Sequence, residues 1–152
     1  MDRSSSPEST RDLTVDWLGD DRHRVTVRGH HLFVDQPQGE GVSEAGPTPV
    51  ELFVASLASC VAHYARRGLG PTGPGPTVHA RWTMSDSAPW RVTTVDIDVL
   101  LPPGTSPARL AAAERSVAHC TVHNTLMDAP IVAISAAVAA PPAPQVELVA
   151  AR

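Results

Sequence analysis

Residues 48–70 read TPVELFVASLASCVAHYARRGLG. The pattern predicts one long helix. Thr48 is a good N-cap, Pro49 suits the first helical position, and Glu51 stands three residues after the cap to complete a capping box. Arg66 and Arg67 favour the negative end of the last turn, and Gly68 is the expected C-terminal cap. A helix over 49–67 has about 19 residues and spans roughly 28 Å at 1.5 Å per residue. Val50, Leu52, Phe53, Val54, Ala55, Leu57, Ala58, Val61, Ala62 and Ala65 cover nearly every face of it. A helix apolar all round is buried all round. A chain of 152 residues has little with which to surround it, so a homodimer with this helix at its centre is expected.

Outward from the helix the pattern shortens. LTVDWL, RVTVRG and HHLFVDQ read as strands separated by turns at GDD and RGH. QPQGEGVSEAGP reads as a loop. VHARWTM and RVTTVDIDVLL read as an antiparallel pair. In the second, Val95, Ile97, Val99 and Leu101 point one way and Thr94, Asp96 and Asp98 the other. Ser106 and Pro107 open a second helix. Cys120 falls at or just past its end, and TVHNTLMDA is expected to add another turn. PIVAISAAV is a strand candidate, and PPAPQVELVAAR a tail with one more strand or none. Residues 1–11 are polar and Ser-rich, expected to be a disordered tail; residues 12–152 form a single domain. The fold class is α+β.

Composition narrows the function. The net charge is −4 and all twelve basic residues are Arg. That argues against nucleic acid or an anionic membrane as main partner, and the lack of Lys excludes Schiff-base chemistry. No apolar run reaches about 18 residues, so nothing spans a bilayer. The polar N-terminus lacks a signal-peptide core, and a cytoplasmic location is expected. There two cysteines are poorly suited to a static disulfide.

Those cysteines, Cys60 in ASCVAHY and Cys120 in AHCTVHN, are the chain's only two. Each has a histidine three residues on, His63 and His123. Two C-x-x-H units carry the right ligands for zinc, yet Cys60 and His63 lie mid-helix rather than on a knuckle, so no metal or other cofactor is expected. The bland reading is packing, since free Cys behaves as a small hydrophobe. The sharp reading is a redox pair, which needs a stabilised thiolate. With no Lys, an Arg would supply the charge. The residues alone leave these readings open.

GPTPVELFVASLASC and HCTVHNTL, with VDQP upstream, resemble the OsmC/Ohr family (osmotically inducible protein C and organic hydroperoxide resistance proteins), in its OsmC-like branch. The resemblance runs from about Leu13 to Ala139. It implies an OsmC-like fold, an intertwined homodimer with antiparallel sheets around a long cysteine-bearing helix. It also implies a thiol peroxidase that reduces organic hydroperoxides. Cys60 would be the attacking thiol, Cys120 the resolving thiol, and a dithiol the reductant. The family's catalytic Arg comes from the N-terminal strands, where Arg24 is the first candidate and Arg22 the second. Its catalytic Glu would be Glu51, although Glu51 stands nine positions before Cys60 rather than ten. The Pro that usually follows the second cysteine is Thr121 here. These departures keep a second reading in view, a non-enzymatic OsmC-like dimer that binds a small hydrophobic molecule or serves a stress role.

Overall fold

The computed structural model describes residues 11–36 and 45–139. The polar tail before Arg11 and the segment PPAPQVELVAAR lie outside the described residues. Three strands, β1 (Thr14–Gly19), β2 (Arg22–Val27) and β3 (His30–Val34), form an antiparallel meander in the order β1-β2-β3. Both expected turns are present. Val27 pairs with His30, so Arg28 and Gly29 make the β2–β3 turn, with φ of 48° and 80°. Positive φ at both central residues is what a two-residue hairpin turn matched to strand twist requires.

Helix α1 (Pro49–Leu69) follows. The capping box forms: Thr48 Oγ1 accepts the Glu51 N–H at 3.2 Å, and the Glu51 carboxylate accepts the Thr48 N–H at 2.7 Å. The helix runs past Gly68 to end at Gly70, whose φ is 92°. The expectation of a Gly68 cap is corrected, and packing gives the reason. A Cβ on Gly68 would lie 2.5 Å from Ala113 Cα. The missing side chain therefore lets α1 meet helix α2 (Pro107–Val117), and the cap passes to Gly70.

Strands β4 (Thr77–Met84) and β5 (Val92–Leu100) pair antiparallel, with Ala80 opposite Ile97. Val95, Ile97 and Val99 are half-buried while Thr94, Asp96 and Asp98 are exposed, as the alternation predicts. Ser106 caps α2. Cys120 lies three residues beyond α2 and is the N-cap of a short helix α3 (Thr121–Met127). PIVAISAAV forms no strand in the described chain. Among the described residues it pairs with neither sheet.

The core is the stripe Val54, Leu57, Val61, Ala65 and Leu69 along one side of α1. It packs on α2, α3, β4 and β5. Burial all round, as read from composition, is not met within one chain. Phe53, Ala55, Ser56, Ser59 and His63 are exposed.

Candidate functional site

Cys60 and Cys120 come together. Cys120 is fully buried with Leu57 and Val61. Cys60, Tyr64, Val95, Ile97, Val99, Val117 and Val122 pack around that group. Local backbone bonds fix Cys120. Its N–H donates to Val117 O at 2.8 Å, and its carbonyl accepts the Asn124 N–H at 2.9 Å. One side chain is thus held in a turn, the other on a long helix. Both are free thiols.

Their environments push the two apart. Burial opposes ionisation of Cys60, but the Val122 N–H, the Cys120 thiol and the Thr121 N–H all hydrogen-bond its sulfur, and its pKa falls below the usual thiol value. Cys120 moves up, because burial and the neighbouring Cys60 both favour its protonated form. The result is one half-buried thiol predisposed to ionise, beside a buried thiol that stays protonated and donates to it.

An arginine was the expected source of charge. In this chain Arg24 is engaged by Asp16 across β1 and β2 at 2.8 Å, and Arg22 by Asp20 at 2.7 Å. Arg24 Nε is buried without a hydrogen-bond partner among the described residues. None of the groups acting on Cys60 is an arginine. Peptide N–H groups and a second thiol do the work instead. No residue pattern flags backbone donors, which is why sequence reading passed over them.

Glu51 is bound to Thr48, whose N–H and hydroxyl both donate to it. Nine residues at about 100° each place it roughly 180° around the helix from Cys60 and about 13 Å along it. It cannot act on the Cys60 of its own chain from there. Glu51→Ala should lower stability by about 1 kcal/mol, the usual scale for a lost cap. Thermal melting should show that loss, while alkylation of Cys60 by iodoacetamide should keep the parent rate.

His63 is exposed and meets the Tyr64 ring edge-on, with centroids 5.4 Å apart. Tyr64 lies one turn after Cys60, and its hydroxyl is 3.1 Å from Thr121 Oγ1. The signal for Tyr64 was its place four residues after Cys60, on the same helix face. Among the described residues, no group of three or more His, Cys, Asp or Glu side chains is gathered to hold a metal, and no helix is long and apolar enough to cross a membrane. An apolar cleft of about 350 Å³, lined in part by Ala65, Leu110 and Ala113, shares Ile97, Val99 and Val117 with the packing around the thiols.

Residues 39–135 match the family model described as OsmC-like protein. Among solved structures, an OsmC-like protein from Mycoplasma pneumoniae superposes with a TM-score of 0.66 at 14% identity, covering 80% of this chain and 90% of that one. A protein from Psychrobacter arcticus 273-4, named for an osmotic stress and detoxification response, gives 0.64 at 21% identity, covering 78% and 89%. An OsmC-like protein of unknown function from Vibrio cholerae gives 0.57 at 16%, covering 77% and 93%. At these identities the likeness establishes the fold. No curated protein matches the chain.

Proposed function

The chain belongs to the OsmC-like protein family, and from that premise we propose that it is a thiol-dependent peroxidase for organic hydroperoxides. One observation carries the reading. Two free thiols sixty residues apart in sequence pack in one cluster, with surroundings that lower the pKa of Cys60 and raise that of Cys120. The thiolate form is the nucleophile, and a lowered pKa favours that form at Cys60.

The Cys60 thiolate attacks the distal oxygen of the hydroperoxide. The O–O bond breaks, the alkoxide takes up a proton and leaves as the alcohol, and Cys60 becomes a sulfenic acid. The Cys120 sulfur then attacks the Cys60 sulfur, water leaves and a disulfide forms. A dithiol reductant reopens it by two exchange steps. The mostly apolar cleft that shares Ile97, Val99 and Val117 with the packing around the thiols suits an organic group on the peroxide. Within the chain Arg24 is held by Asp16. No arginine among the described residues acts on Cys60, so the thiolate rests on the groups around the two cysteines.

The test is thiol titration before and after one equivalent of cumene hydroperoxide. Loss of two thiols per chain, with one alcohol formed per chain, supports the enzyme. Retention of both favours the non-enzymatic reading, for which the engagement of Arg24 and Arg22 by aspartates speaks. Cys120→Ser should leave one rapid turnover and no second. Dimedone should then trap a sulfenic acid at Cys60, seen as a mass increase on the peptide 29–66.

A further inference from the structure

Tyr64 and Thr121 are 57 residues apart in sequence and joined by their hydroxyls at 3.1 Å. This contact ties α1 to the start of α3. It lies one helical turn beyond Cys60, where positions i and i+4 share a face. Tyr64 is itself braced: the Arg67 guanidinium lies 5.5 Å from its ring centroid and the His63 ring meets its edge. Thr121 is braced from the other side, its carbonyl accepting the Thr125 hydroxyl at 2.9 Å. Cys120 precedes Thr121, so whatever fixes Thr121 also fixes the two peptide N–H groups that reach the Cys60 sulfur. Of the elements packed here, β5 contributes Val95, Ile97 and Val99 and α2 contributes Val117, His63 and Arg67 lie against Tyr64, and the one titratable group acting directly on Cys60 is Cys120.

We propose that Tyr64 is a positioning residue for Cys60: its hydroxyl holds Thr121, and through it the N–H groups of Thr121 and Val122, against the Cys60 sulfur. Thr121 contributes doubly, with a hydroxyl for the latch and an N–H for the sulfur. A proline in its place has neither. Where the resemblance led one to expect proline, this chain carries a donor that proline cannot supply. The inference rests on the reading of Cys60 as the reactive thiol, and its test needs no peroxide.

Alkylation by iodoacetamide, followed across pH, reads the thiolate fraction of each cysteine. Trypsin separates them, since Cys60 falls in peptide 29–66 and Cys120 in 116–152. Below the midpoint, each pKa unit is tenfold in thiolate. Tyr64→Phe removes one oxygen and should slow Cys60 alkylation at neutral pH about threefold, equivalent to roughly half a unit upward. Thr121→Pro should slow it about tenfold or more. Proline is welcome at the first position of a helix, and Cys120, with φ −59° and ψ 115°, already has the extended backbone that precedes proline. Thr121→Ser keeps both groups and should match the parent. In each variant the plateau rate at high pH should equal the parent's, because only the ionisation moves. A purely structural role would change the melting temperature or the plateau and leave the midpoint in place. A Tyr64→Phe profile that superimposes on the parent overturns the proposal, whatever Thr121→Pro does. A parent that alkylates at Cys60 yet consumes no hydroperoxide would refute the peroxidase and leave this test standing.

Discussion

Cys60→Ser should abolish hydroperoxide consumption, including the first turnover, as read by stopped-flow with the protein in excess. The chemistry demands a thiolate. A serine hydroxyl at that position ionises far above any working pH, and an alkoxide that broke the O–O bond would give no resolvable intermediate. Cys120 cannot substitute. It is fully buried, and that burial disfavours its ionised form even without Cys60. The parent should show the complementary pH dependence. A lowered Cys60 pKa means that the first-turnover rate rises with pH and levels off below the value of an ordinary thiol. If Cys60→Ser consumes peroxide at the parent rate, or if the parent's rate climbs only above the ordinary thiol range, the nucleophile has been misassigned.

Local signals were readable because they act over three or four residues. Thr48 and Glu51 announced the start of α1 since a capping box closes within one turn. Val95, Ile97 and Val99 announced a strand with one covered face, because the pleat repeats every two residues. The two cysteines stood out as candidates through the motifs around them, though their residues alone left packing, metal and redox readings open. What stayed hidden was tertiary. Gly68 looks like a cap until α2 is seen against it, with Ala113 where a Cβ would go. The groups on Cys60 are peptide N–H groups, which every residue but proline owns, so no residue type advertises them. Tyr64 meets a threonine 57 residues away. PIVAISAAV reads as a strand by composition, but pairing is a property of two segments, and among the described residues none pairs with it.

That unpaired segment leads to the second large effect. Ile131 is 100% exposed, Ile134 93% and Val138 99%. On α1, Phe53 is also exposed, and on the first sheet Trp17 and Phe33 are. Burying one such side chain is worth about 1.5–3 kcal/mol, against a total domain stability of roughly 5–15 kcal/mol. An apolar surface this extended marks an interface rather than a solvated face. The β4–β5 ribbon points the same way, since two strands alone are marginal and a third would steady them. We expect a stable homodimer of twice the 16.0 kDa chain mass at micromolar concentration, with the residues around Ile131–Val138 covered by the partner. Ile131→Asp combined with Ile134→Asp places two carboxylates per chain in that contact. Even at 1.5 kcal/mol for each lost isoleucine the dissociation constant should rise at least a hundredfold, because 1.4 kcal/mol is tenfold. Sedimentation equilibrium reads this directly. A parent that sediments as a 16.0 kDa monomer would sink the expectation of a dimer. A double variant that dimerises as tightly as the parent would place the interface elsewhere, on the exposed side of α1.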